Sequence, residues 1–261
     1  MIPVKLVELY NRALFLLSVP KCICCEEPLD YGERALCPKC LDEYRAQKTR
    51  NCSRCAKVIP KCTCSNFYME RHYLKNVAKV FRYDASKREL PGNMLIYSLK
   101  HDNRRDVFDF LANELAQSIT QALQVSDHPE RFTITNVPRR PSAIRENGYD
   151  HSRELAKRVA KILGVEYAQF LTSKAKKAQK DTHGELRKQN AVFAYRRSAA
   201  KRSLRGLTVI IVDDVITTGA SVSACAAMLR GMGATRFLGA TLSIAYKDSY
   251  IKPKISYYNY Y

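Results

Sequence analysis

The sequence predicts a doubly wound, mostly parallel α/β sheet preceded by a small cysteine-rich module. Three observations predict it. Nine of the ten cysteines fall between residues 22 and 64, and only Cys225 lies elsewhere. Beyond them, β-branched runs alternate with helical periodicities, the order that builds a parallel sheet with helices on its faces. Finally, Val209–Val212 is a run of β-branched apolar residues without alternation, as expected for a strand covered on both sides.

In chain order, the first element is an amphipathic helix within residues 1–20. Its apolar core runs only from Ala13 to Leu17, after Lys5, Glu8 and Arg12, and Pro20 ends it. That is far short of the ~20 apolar residues that span a bilayer, and no small-residue cleavage site follows. A cytoplasmic chain without a membrane span is expected. In a reducing compartment, paired cysteines signify metal before disulfide.

Residues 21–66 form the cysteine-rich module. Cys22, Cys25, Cys37 and Cys40 make two C-x-x-C pairs with the spacing of a zinc ribbon. Each pair turns two thiolates toward one point, and two pairs close a tetrahedral Zn²⁺ site. Cys52, Cys55, Cys62 and Cys64 make a second, less regular set that ends in C-x-C, which leaves Cys24 spare. One or two structural zinc ions are expected, in closed sites with no position for catalysis; a cross-braced pairing of ligands fits the same spacing. A stretch with so few large aliphatics needs staples, because burial alone cannot hold it.

Residues 67–77 read as a linker, 78–247 as the main α/β domain and 248–261 as a tail. "VAKVFRY" (77–83) is a strand candidate. From "ELPGNML" onward the period becomes helical, with Leu95, Leu99, Phe108, Leu111, Leu115 and Ile119 on one face. "FTITNVP" reads as a strand and "DHSRELAKRVAKILG" as a helix with Leu155, Val159, Ile162 and Leu163 inward and Gly164 as its stop. "VEYAQFL" and "LTVIIVDD" are strands, "SVSACAAMLRGMG" a helix with Cys225 in the core, and "TRFLGATLSIA" the last strand.

The charge balance is unusual: 44 Lys and Arg against 25 Asp and Glu leave a net +19. Such a field favours polyanions, whether nucleic acid, phosphorylated metabolites or acidic lipid. Hydrophobic content of 46% argues for a folded chain over a disordered one. The richest strip is residues 174–205, where eleven Lys or Arg face two acids. It reads equally well as a solvated face or a DNA-contacting strip.

The chemistry concentrates in "VIIVDDVITTGASV" (209–222). Asp213 and Asp214 stand where a buried strand leaves the core, at the end where such sheets bind ligands. Carboxylates accept hydrogen bonds from paired hydroxyls, which suits the 2′ and 3′ positions of a ribose. Thr217, Thr218, Gly219, Ala220 and Ser221 can turn successive backbone N–H groups and hydroxyls toward one point at a helix start, an anion nest aided by the helix dipole. Together they describe a pocket for a ribose 5-phosphate. A Walker loop would need Lys where Ala220 stands.

This motif resembles the ribose-phosphate signature of type I phosphoribosyltransferases, and its combination with an N-terminal cysteine ribbon resembles the ComF/GntX family of competence protein F-like phosphoribosyltransferases. The likeness includes "LKH" near Lys100, "NVPRRP", "RENGYDHSRELA" and "AQKDTHGELRKQNAVFAY", where Gln179, Arg187, Asn190 and Phe193 stand at family positions. It implies a type I phosphoribosyltransferase domain over 78–247 that binds phosphoribosyl pyrophosphate with Mg²⁺. Arg139, Arg140 and Arg145 are then candidates for the pyrophosphate, a role suited to the planar fork of arginine. Lys177 and Lys180, on a loop that would close over the leaving group, are further candidates. The family's Arg-x-Arg-Gly-Phe-Asn-Gln run, which starts here at Arg145, departs at Asn147, Tyr149 and Asp150-His151.

Two functions follow. The first is transfer of a phosphoribosyl group to an acceptor that no motif identifies, with Asp213 and Asp214 as the catalytic carboxylates. The second, implied by the family's link to DNA uptake and natural competence, is a nucleic-acid accessory whose pocket is a non-catalytic ligand sensor. Expected partners are phosphoribosyl pyrophosphate, single-stranded DNA and the competence machinery, and a second copy of the chain in a homodimer.

Overall fold

In a computed structural model, residues 19–124, 131–174, 193–199 and 201–244 are described. The expected helix within 1–20 therefore falls, but for Val19 and Pro20, outside the described residues, and so does the tail over 248–261. The strands are β1 (Asn76–Arg82), β2 (Phe132–Asn136), β3 (Leu171–Ser173), β4 (Phe193–Tyr195), β5 (Thr208–Ile216) and β6 (Arg236–Ile244). Four of them form one parallel sheet in the order β1-β6-β5-β2, with Ile210 opposite both Leu238 and Ile134. β3 and β4 pair antiparallel in a separate two-stranded sheet. The α-helices are α1 (Pro38–Lys48), α2 (Phe67–Arg71), α3 (Pro91–His101), α4 (Arg105–Gln124), α5 (Pro141–Asn147), α6 (His151–Leu163) and α7 (Ala220–Arg230).

Side-chain parity along β5 explains why the sheet is covered twice. Ile210 and Val212 point into a core with Leu99, Phe108, Leu111 and Leu155, from α3, α4 and α6. Val209 and Ile211 point the other way, into a second core with Val222, Cys225 and Leu229 of α7 and Phe170 and Leu171 near β3. Alternate residues of a strand face opposite sides, so an unbroken apolar run is what two covers require.

Local signals set the helix ends. The Asp150 side chain accepts from the Arg153 N–H at 3.1 Å and caps α6, and Gly164 closes it at φ 67°. A left-handed φ costs glycine nothing, which makes it the usual stop. Pro91 opens α3 in the first turn, where no N–H is needed.

Four expectations change in detail. The single helical region from Pro91 onward is two helices, broken after His101, with Asn103 at φ 50°. "VEYAQFL" reaches the main sheet only through one bridge, Tyr167 beside Ile134, because it lies along the edge of β2 for a single repeat before turning into β3. In α6 the inward face is Leu155, Ala156, Val159 and Ala160, whereas Ile162 is 44% exposed. Small alanines bring that helix close to the sheet and rotate Ile162 outward. The stretch 67–77 read as a linker contains α2 and the first residues of β1.

The cysteine-rich module shares the main core. Leu29, Ala35, Leu36 and Tyr44 are buried in the same cluster as α4 and β1. The Tyr44 hydroxyl donates to Glu114 at 2.9 Å, and Gln47 accepts from the Gly92 N–H at 2.9 Å. Ile210→Ala removes a fully buried side chain of a central strand. It is expected to cost about 2–5 kcal/mol, measured as lowered stability in chemical denaturation.

Candidate functional site

The carboxyl ends of β2 and β5 lie side by side, since Val137 N–H donates to the Val212 carbonyl at 2.9 Å. The crevice above them collects residues from four separate elements. Asp213 and Asp214 come from β5, Arg139 from the loop after β2, His151 from the first turn of α6 and Lys100 from the last turn of α3.

Asp214 points to the α3 and α6 side and is 8% exposed. Its Oδ2 lies 3.1 Å from Lys100 Nζ and 3.0 Å from His151 Nε2. The Lys100 approach is a charge pairing and that of the His151 ring a close polar contact, and the direction of each falls short of a hydrogen bond, leaving Oδ2 and Nε2 without a directed partner among the described residues. Arg139 Nη1 lies 2.6 Å from His151 Nδ1. Arginine only donates, so Nδ1 accepts and a neutral ring carries its proton on Nε2, facing Asp214. Burial alone would raise the Asp214 carboxyl, but His151 and Lys100 outweigh it and hold it well below the usual carboxylate range.

Asp213 points the other way, toward α7, and is half-buried. Burial first, and then the negative charge of Asp214, push its carboxyl well above the ordinary value. Asp213 Oδ1 also accepts from the Asp214 N–H at 3.0 Å, and Thr241 Oγ1 donates to the Asp214 carbonyl at 2.9 Å, which fixes the strand end. Two adjacent acids are thus in opposite conditions: one held as an anion, the other favouring its proton.

The turn that follows, Thr217–Gly219, leads into α7. Gly219 is buried at φ 79° and is the residue before the helix. Thr218 Oγ1 accepts from the Ala220 N–H at 3.3 Å. The first-turn amides of a helix have no partner within it, and here they open next to Thr217 and the half-buried Ser221.

Of the residues the sequence singled out, Asp213, Asp214, Thr217, Thr218, Gly219, Ala220, Ser221 and Arg139 converge at this strand end. Arg140 precedes α5, and Arg145 is exposed in its last turn; neither contacts the carboxylates among the described residues. Lys177, Lys180, Gln179, Arg187 and Asn190 lie outside the described residues. Lys100 and His151 were not assigned roles from sequence, although both sit in stretches that carried the family resemblance. Tyr149, from the same run, donates to the Leu99 carbonyl at 2.7 Å and accepts from the Asn103 N–H at 3.2 Å, tying down the helix end that carries Lys100.

Two groups of cysteines could hold a metal, Cys22, Cys25, Cys37 and Cys40, and Cys52, Cys55, Cys62 and Cys64; within each, the sulfur atoms lie within 4.8 Å of one another. The residues fit zinc on their own geometry. Each first C-x-x-C is a tight turn, with Glu26 at φ 61° or Ala56 at φ 57°, closed by Glu26 N–H to Cys22 O and Ala56 N–H to Cys52 O at 3.1 and 2.9 Å. Backbone N–H groups point at the leading sulfurs, from Cys37 to Cys22 at 3.4 Å and from Arg54 to Cys52 at 3.4 Å. Burial opposes ionisation of Cys22 and Cys52, yet backbone N–H groups, of Cys25, Cys37 and Cys24 at the first and of Arg54 and Cys55 at the second, help to bring both thiols down to about 7. Cys24 is pushed up to about 12 by burial and by the neighbouring Cys22, in keeping with a spare thiol. No described helix is long and apolar enough to cross a membrane.

Comparison with known proteins agrees with this geometry. Residues 150–260 match the family described as phosphoribosyl transferase domain. The DNA utilization protein YhgH of Salmonella typhi is 28% identical over 224 residues, covering 84% of this chain and 95% of that protein. Its counterpart in Escherichia coli (strain K12) is 25% identical over the same coverage. A hypoxanthine phosphoribosyltransferase structure from Staphylococcus aureus aligns with 57% of this chain and 68% of its own at 13% identity and a TM-score of 0.32, too slight a likeness to argue from. Cysteine module, parallel sheet and acidic strand end thus occur together in a chain that matches the phosphoribosyl transferase domain over residues 150–260 and is similar along most of its length to the DNA utilization proteins.

Proposed function

We propose that the crevice binds phosphoribosyl pyrophosphate with Mg²⁺ and that the chain transfers the phosphoribosyl group to an acceptor in the handling of DNA. The observation that carries this reading is the juxtaposition of two unlike carboxylates at the end of β5 with the Thr217–Ser221 turn that opens α7. Asp214, kept ionised by Lys100 and His151, would accept from one ribose hydroxyl. Asp213 can either accept from the other or, while protonated, donate to it. The turn would take the 5-phosphate on its amides and the Thr217, Thr218 and Ser221 hydroxyls.

Chemically, the C1–pyrophosphate bond breaks with its electron pair leaving on pyrophosphate, and a nitrogen nucleophile bonds to C1 as it loses a proton. An anionic Asp214 holding a ribose hydroxyl would favour positive charge developing on the ring. Arg139 lies close to the same strand ends and would meet the departing pyrophosphate; Arg140, Arg145, Lys177 and Lys180 are proposed to assist it. Link to DNA uptake rests on the relatives named for DNA utilization. The paired-cysteine spacing favours a reducing, cytoplasmic setting, with one zinc in each four-cysteine group.

The same relatives favour a second reading, in which single-stranded DNA binds the basic surface and the pocket acts as a sensor. The net charge of +19 suits it, and product analysis separates the two, since only an enzyme releases pyrophosphate.

Three outcomes are expected. Mg²⁺–phosphoribosyl pyrophosphate titrated calorimetrically binds the wild type, and Asp213→Asn/Asp214→Asn weakens it by about ten- to a hundredfold, the range for losing charged hydrogen bonds; no binding by the wild type would exclude enzyme and sensor alike. Elemental analysis finds two zinc ions per chain, and Cys25→Ser or Cys55→Ser lowers the content by one; an unchanged content counts against the assignment of ligands. Single-stranded DNA affinity falls steeply with salt if several phosphates are contacted, and a flat log–log slope removes the second reading.

A further inference from the structure

The turn proposed to hold the 5-phosphate does not rest on the sheet alone. Asn66 and Met69, from the segment after the second cysteine cluster, pack directly against it. Asn66 Nδ2 donates to the Thr218 carbonyl at 3.0 Å, while its Oδ1 accepts from the Met69 N–H at 2.8 Å and caps α2. Met69 is fully buried, and its Cγ and Sδ occupy the space that a Cβ on Gly219 would take. Gly219 is therefore constrained twice, by its left-handed φ and by this contact.

The same segment is bound to the cysteine cluster on its other side. Arg54, inside the Cys52–Cys55 turn, donates from Nη1 to the Ser65 carbonyl and to Glu70 Oε1 of α2, the latter at 2.7 Å. Cys64 lies two residues before Asn66; its carbonyl accepts from Lys79 Nζ, a buried lysine of β1. Val77 N–H also donates to the Thr63 carbonyl at 2.9 Å. An unbroken series of contacts thus runs from the second cluster through Ser65, Asn66 and Met69 to Thr218 and Gly219.

We propose that Asn66 and Met69 are positioning residues for the Thr217–Gly219 turn, through which the second cysteine cluster sets the affinity of the sugar-phosphate pocket. This rests on the reading of that turn as the 5-phosphate site. The role is specific: the strut reaches the phosphate end of the ligand, while the pyrophosphate end lies toward Arg139 on another element.

The test uses full-length Asn66→Ser and Met69→Ala. Serine retains an N-cap oxygen but cannot reach Thr218, so Asn66→Ser separates the strut from the cap without adding charge. Both variants are expected to keep the wild-type zinc content. Affinity for ribose 5-phosphate and for Mg²⁺–phosphoribosyl pyrophosphate should fall about tenfold in Asn66→Ser, the size of one net hydrogen bond, and should fall also in Met69→Ala, which removes the packing under Gly219, with affinity for inorganic pyrophosphate unchanged in both. In the ligand-free chain, amide hydrogen exchange should accelerate over residues 217–221, because a turn that loses its support opens more often. Unchanged exchange there in both variants overturns the proposal, as does an equal loss of pyrophosphate affinity, which would indicate a general loosening. Faster exchange in the variants of a chain that binds no sugar phosphate would uphold the strut and overturn the pocket reading instead.

Discussion

The structure depends on keeping one carboxylate ionised at the end of a buried strand. Removing an ion from water costs several kcal/mol. A cation at the 3.1 Å separation of Lys100 from Asp214 returns roughly 5 kcal/mol at an effective dielectric of about 20. The two terms are of the same size, so a single partner leaves little margin. His151 brings Nε2 within 3.0 Å of the same oxygen, and Arg139, 2.6 Å from Nδ1, fixes which ring nitrogen carries the proton. The charge is held only because α3, α6 and the loop after β2 all end at one place. Their packing, through Leu99, Leu155 and Val137, therefore serves the electrostatics directly.

Strand parity turns that single charge into an asymmetric pair. Residues 210, 212 and 214 look toward α4 and α6, and residues 209, 211 and 213 toward α7. Asp214 inherits the face that carries cations, and Asp213 the face that carries Val222 and Cys225. Arg139 acts on both acids, whereas Lys100 and His151 stand at Asp214 and Cys225 lies near Asp213. Exchanging their roles would require a one-residue slip of β5, which would also carry every apolar side chain of the strand to the wrong core.

The parts of the molecule that were legible in the sequence are those encoded locally. The apolar run of β5, the C-x-x-C turns and the Gly164 stop each depend on residues a few positions apart, and the alternation of elements implied the sheet. What was not legible depends on distant residues meeting. Lys100 and His151 lie far from Asp214 in sequence, and nothing in "SLKHD" or "YDHS" says that both end on one oxygen. The break after His101 does leave a local mark: Leu99 and Phe108 are nine residues, about two and a half turns, apart, so one continuous helix would set them on opposite faces. Asn66 and Met69 sat in a polar, linker-like stretch, whose burial comes from Thr218 and Gly219 some 150 residues later.

The cysteine module fits this picture as a structural partner of the sheet. Tyr44 sets its ring edge-on against Phe81 of β1 and Phe110 of α4, with centroids 5.8 and 5.3 Å apart. Ala35 N–H approaches Asp106 Oδ2 at 3.3 Å at the start of α4. A module this poor in large aliphatics cannot fold by burial alone, and α4 and β1 without it would expose the surface that Tyr44 and Leu36 cover. Each half therefore completes the other. Metal in the cysteine clusters would stabilise the main core as well as the module, and the second cluster, tied by Ser65 and Asn66 to the turn before α7, would extend that stabilisation to the crevice where the carboxylates stand.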